Sequence, residues 1–141
     1  MGVFMGDLSG QMSHHSPLHI LVVEDSELLR DIFSTTLCKE HLVETAPTIK
    51  EGWELFLKNN PDIVFLDISL PDGTGHDLAY KIKTHSPKTY VIMATASDYA
   101  DDKEEAAFNH VDGYMTKPFG KQHIDDIIVR YWTMRLGPRK G

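Results

Sequence analysis

The segment Ile63-Val-Phe-Leu-Asp-Ile-Ser-Leu-Pro-Asp-Gly73 decides how the rest of the chain reads. Four apolar residues end on a carboxylate, and a Pro-Asp-Gly turn follows directly. A run this short and continuously apolar suits a strand covered on both faces, which is the condition of a central strand in a parallel sheet. Working outward, Ile20 to Val23 and Tyr90 to Ala94 have the same character. A short strand is expected near Gly113 to Met115, and Leu42 to Thr45 alternates in a way that belongs at a sheet edge. Helical patterns separate these runs, so the chain reads as five βα units. The expected fold is α/β: a five-stranded parallel sheet in the order 2-1-3-4-5, flanked by five helices, flavodoxin-like and doubly wound.

The helices carry their own boundaries. Thr48-Ile-Lys-Glu51 and Thr74-Gly-His-Asp77 have the spacing of capping boxes. Leu28, Leu29, Ile32 and Phe33 predict one buried stripe, and Ile124, Ile127, Ile128 and Tyr131 another. Asn59-Asn60-Pro61, Pro71-Asp72-Gly73 and Ser86-Pro87 mark turns.

With 141 residues, 41% hydrophobic and 25% charged, the chain is expected to form one globular domain over 18–136. Residues 1–17, with no Lys or Arg, are expected as a flexible leader, and 137–141 as a fraying tail. No apolar run reaches the roughly 18 residues of a membrane span, so a soluble, cytoplasmic protein without a membrane partner is expected. A net charge of −7 disfavours direct binding to nucleic acid. The single cysteine, Cys38, follows an amphipathic pattern and is expected to be buried and inert.

Chemistry gathers where the strands end. In an open parallel sheet, ligands bind beyond the carboxyl ends of the strands. There the chain has Glu24-Asp25, Asp67, Thr95 and Lys117-Pro118. Taken singly, these residues have ordinary readings as helix caps, a turn residue, a strand residue and a surface lysine. The doubly wound order would bring all of them to one crevice. Like charges about 4 Å apart cost on the order of 4 kcal/mol at an effective dielectric of 20, so three carboxylates need relief. One of them holds its proton, or a hard divalent cation takes oxygen ligands from the cluster, and magnesium suits so few carboxylates best. Asp67 could then act as a nucleophile towards phosphorus.

The set Ile20-Leu-Val-Val-Glu-Asp25, Ile63 to Gly73, Val91-Ile-Met-Ala-Thr-Ala96 and Gly113-Tyr-Met-Thr-Lys-Pro-Phe119 resembles the receiver domain of two-component response regulators. The likeness covers about His19 to Met134. It implies Asp67 as phosphoacceptor and a Mg2+ ion held by Glu24, Asp25, Asp67 and the Ser69 backbone carbonyl. Thr95 would be the switch hydroxyl, Lys117 the cation on a phosphoryl oxygen, with its bond to Pro118 cis, and Tyr114 the switch aromatic. A sensor histidine kinase or histidine phosphotransfer protein would donate the phosphoryl group. A downstream protein target would read the face formed by Tyr99 to His110, the fifth strand and parts of Gly120 to Trp132, and a phosphorylation-dependent homodimer is a further expectation. The chain would catalyse its own phosphorylation and dephosphorylation without being a turnover enzyme. Small residues at Ser69 and Ser97 imply easy water entry and a short-lived phosphoryl group.

Two other function classes fit less well. A phosphatase of the haloacid-dehalogenase type would carry a second acid where Ser69 stands, and no general acid is apparent. A receiver-like adaptor that is never phosphorylated would have no use for the full set of Glu24, Asp25, Asp67, Thr95 and Lys117. His14-His15, His110, His123 and the basic run Arg130, Arg135, Arg139 and Lys140 are given no role.

Overall fold

The computed structural model describes residues 16–96 and 111–136. Among these, five strands build one parallel sheet: β1 (His19–Val23), β2 (Leu42–Ala46), β3 (Ile63–Asp67), β4 (Tyr90–Ala96) and β5 (Gly113–Lys117). Their order is β2-β1-β3-β4-β5, with every neighbouring pair parallel. This is the expected order. Four helices lie among the described residues: α1 (Glu27–Leu37), α2 (Ile49–Asn59), α3 (Gly75–His85) and α4 (Lys121–Leu136). The helix expected within Tyr99 to His110 falls outside the described residues. So do Ser97, His14-His15, residues 1–15 of the expected leader and the tail 137–141.

The pleat sorts side chains to two faces, since successive residues of a strand point opposite ways. Ile20, Val22, Phe65, Ile92 and Ala94 join Phe33 and Leu37 of α1 and Ile124, Ile127 and Tyr131 of α4 in one core. Leu21, Val23, Val64, Leu66, Val91 and Met93 join Phe56 of α2 and Leu78, Ala79 and Ile82 of α3 in the other. Helices therefore cover both faces, and β2, paired on one side only, shows the half-exposed pattern of an edge strand.

The helix ends follow from local chemistry. Ser26 caps α1 by accepting a hydrogen bond from Leu29 N at 3.2 Å. Thr48 and Thr74 cap α2 and α3, accepting from Glu51 N at 3.1 Å and Asp77 N at 3.4 Å. Asn60 ends α2 in the left-handed region at φ 50°, a conformation Asn tolerates better than most residues, and Pro61 then prevents continuation.

Three expectations need correction. Leu28 is 68% exposed, because the α1 stripe runs through Phe33 and Leu37 with Leu29 and Ile32 at its margin, and Leu28 lies off that line. Cys38 is exposed: it is the C-cap, one step of about 100° past the buried Leu37. Strands β2, β3, β4 and β5 run one or two residues beyond their expected ends. The parallel ladders continue through Asp67 beside Ala94 and through Ala96 beside Lys117, so Asp67, Thr95 and Lys117 are strand residues.

Along α4, Tyr131 is buried and Trp132 packs partly against the same core, while Met134 and Leu136 are exposed. His123 is exposed and accepts from Gly120 N at 3.1 Å, an ordinary role at the start of a helix. No described helix is long and apolar enough to cross a membrane.

Candidate functional site

The strand order reverses between β1 and β3, and the carboxyl ends of these two strands carry the acids. Glu24 follows β1 directly, and its N–H donates to Ala46 O at 2.9 Å, prolonging the β1–β2 ladder. Its main chain is therefore held from the sheet. Asp67 closes β3. Glu24, at 2% exposure, and Asp67, at 8%, are buried, whereas Asp25 is exposed. One carboxylate oxygen from each of Glu24, Asp25 and Asp67 lies within 4.8 Å of the others.

Lys117 reaches the same point from β5. Its Nζ lies 3.3 Å from Glu24 Oε1 and 3.3 Å from Asp67 Oδ2. One ammonium thus bridges two of the three clustered carboxyl groups. Burial pushes the Glu24 carboxyl up from its ordinary range, opposed by the Ser26 amide and by Lys117 and reinforced by the charge on Asp67. Burial likewise raises Asp67, opposed chiefly by Lys117 and then by the Ser69 amide that donates to it. With three carboxyl groups clustered about one ammonium, the pocket is short of positive charge.

The donor set fits a hard cation. It consists only of oxygen, and Glu24 Oε1 is buried with no hydrogen bond among the described residues, only the charge of Lys117 beside it. Glu24 and Asp25 are not the cap of α1, since Ser26 fills that position.

Of the sequence-derived residues, the structure brings Glu24, Asp25, Asp67 and Lys117 together. Thr95 is fully buried one step beyond Ala94, the register partner of Asp67, and its hydroxyl donates to Ala96 O at a long 3.4 Å. Tyr114 pairs with Met93 and packs against the core under α2 and α3, so by the strand period it shares a sheet face with Thr95. Burial pushes its phenol up to about 12. Ser69 is exposed at the start of a two-residue ribbon with Gly73–Thr74. The Lys117–Pro118 bond is cis.

Three contributors escaped the sequence reading. Arg30 Nη1 donates to Glu24 O at 2.8 Å. Asp72 accepts from Ile49 N at 2.8 Å and Lys50 N at 3.0 Å, tying the loop after Asp67 to the start of α2. Gly75 packs directly against the Asp67 carbonyl. Pro-Asp-Gly was legible as a turn, but none of these three tertiary contacts leaves a local signal.

The family model described as the response regulator receiver domain matches residues 20–129. The chain belongs to that family. Receiver domains serve two-component phosphorelay signalling, and this one has their fold. It is 31% identical over 110 residues to the chemotaxis protein CheY of Halobacterium salinarum, covering 77% of this chain and 92% of that one. It is 31% identical over 115 residues to the probable transcriptional regulatory protein TcrX of Mycobacterium tuberculosis, covering 81% of this chain and 48% of that protein. The receiver thus spans most of one relative and about half of the other. A crystal structure of a response regulator receiver domain protein from Clostridium thermocellum superposes with a TM-score of 0.77 at 25% identity, over 84% of this chain and 97% of that one.

Proposed function

We propose that this receiver, over 18–136, takes a phosphoryl group onto Asp67 from the phosphohistidine of a sensor histidine kinase or histidine phosphotransfer protein. The observation that carries the reading is the buried meeting of Glu24 and Asp67 on one lysine, with Glu24 Oε1 left without a hydrogen bond. Glu24, Asp25, Asp67 and the Ser69 carbonyl would hold Mg2+. When bound, that ion would supply the positive charge the pocket lacks and offset charge on the phosphoryl oxygens.

An Asp67 oxygen attacks phosphorus in line, the P–N bond to the donor imidazole breaks, and its electron pair returns to the ring. Lys117, held in the pocket by Glu24 and Asp67, turns its ammonium to an equatorial phosphoryl oxygen. Thr95 exchanges its long bond to Ala96 for one to the phosphoryl group, and Tyr114 on the same sheet face moves into the space it leaves. The altered surface is read by a downstream protein, with a phosphorylation-dependent homodimer as one form of output. Phosphorylation and hydrolysis are both catalysed by the receiver itself, so it is a switch and not a turnover enzyme, acting in the cytoplasm.

Incubation with magnesium and acetyl phosphate, followed by intact mass, tests the reading. It expects a gain of one phosphoryl group that Asp67→Asn abolishes. Absence of any adduct would leave a receiver-like adaptor that signals by binding alone.

A further inference from the structure

We propose that Arg30 is the positioning residue of the acidic pocket: by holding the Glu24 main chain, it keeps Oε1 in the carboxylate cluster that would hold a divalent cation. The inference rests on the phosphoacceptor reading above.

Glu24 lies in the connection between β1 and α1, where no regular element fixes a side chain. Its polar groups are nonetheless nearly all committed. The N–H donates to Ala46 O at 2.9 Å, Oε2 accepts from Ser26 N at 3.0 Å, and the carbonyl accepts from Arg30 Nη1 at 2.8 Å. Oε1 alone is left without a hydrogen bond, beside Lys117. The residue is therefore held in one pose that presents one oxygen.

Arg30 is the unexpected member of this set. It stands in the first turn of α1, where the helix field disfavours a cation, and it is half-buried. Its own N–H enters the helix by donating to Ser26 O at 3.0 Å. The side chain then folds back past the cap to the Glu24 carbonyl, so Ser26 and Arg30 together lock the connection from the helix side. The charges that bear on the Glu24 carboxyl are those of Asp67 and Lys117. Arg30 thus acts through the main chain, one step further from the ligand oxygen than a partner that bonds the ligating group itself.

The test is magnesium titration of the whole chain by calorimetry, with circular dichroism reporting the fold. Arg30→Met is expected to weaken binding by about tenfold, the low end of what such partners contribute. Arg30→Lys, which keeps the charge with a single donor group, is expected to fall between Arg30→Met and wild type. In a Glu24→Ala background, either change is expected to cost less than about twofold, because the carboxylate it positions is gone. Folded variants that bind within twofold of wild type, or that lose as much in the Glu24→Ala background, would overturn the proposal alone. A wild-type chain that binds no magnesium would overturn the pocket reading and this proposal with it. If Arg30→Met does not fold, Arg30→Lys in the two backgrounds decides by the same comparison.

Discussion

A Cβ placed on Gly75 would stand 2.1 Å from the backbone oxygen of Asp67. That separation is far inside van der Waals contact, and the obstacle is main chain, which cannot rotate away. The first residue of α3 is thereby seated against the strand end that presents Asp67, the proposed phosphoacceptor, and Gly75 N donates to Ile68 O at 2.7 Å across the same junction. Gly75→Ala must displace either α3 or Asp67. We expect it to cost about 1–3 kcal/mol in urea unfolding, as overpacking does, and to slow phosphorylation by acetyl phosphate in the surviving folded fraction.

Lys117 is predicted to affect metal binding and chemistry in opposite senses. Its ammonium, 3.3 Å from Glu24 Oε1 and from Asp67 Oδ2, would compete with a divalent cation for both oxygens. Lys117→Met should therefore tighten magnesium binding in calorimetry. It should also reduce the phosphorylation rate by roughly 10²-fold, since a charge aimed at the transferring group is lost.

The pocket also sets a pH dependence. Burial raises the Glu24 and Asp67 carboxyls in the folded chain above their unfolded values, so the folded state binds protons more readily there. Their contribution to stability is fully present below the ordinary carboxylate range and is lost as pH rises through the raised folded values. Without metal, the urea midpoint should carry this loss on the way to neutral pH. Asp67→Asn and Glu24→Gln should each reduce it, and magnesium should offset it by binding the ionised folded form.

Asp72 is expected to show the reverse sign. Its carboxyl is held below the ordinary range by the Ile49 amide first and by the Lys50 amide as well. The stability it contributes is present above the unfolded value and lost as pH falls through the lower folded one. Asp72→Ala should lower Tm by a few degrees at neutral pH and by less in acid, as thermal melts across pH would show.

Ser69 is small and exposed two residues past Asp67, where it offers water little obstruction. The phosphoryl group should be short-lived, and a bulky residue at position 69 should prolong it. Loss of the adduct followed by intact mass after donor removal measures this, and a lifetime of many hours in wild type would contradict it.

Much of this architecture was legible because strand burial and strand sequence are linked directly. Continuous apolar runs became β1, β3 and β4, and the alternating Leu42 to Thr45 became the edge strand. The acidic pocket was legible for a topological reason: a doubly wound sheet brings the ends of β1, β3 and β5 together. Leu28 and Cys38 misled because an amphipathic pattern gives a stripe's existence better than its exact margins. Arg30 and Gly75 were invisible because each acts through another residue's backbone carbonyl, and a carbonyl has no sequence signature.

The central claim is that the Asp67 carboxylate itself becomes the acyl phosphate. Borohydride reduction of the chain after exposure to magnesium and acetyl phosphate, with peptide mapping by mass spectrometry, tests this most directly. The account predicts homoserine at position 67, dependent on both magnesium and the donor. Reduction at another carboxylate, or an unmodified peptide spanning Ile63 to Gly73, would contradict it.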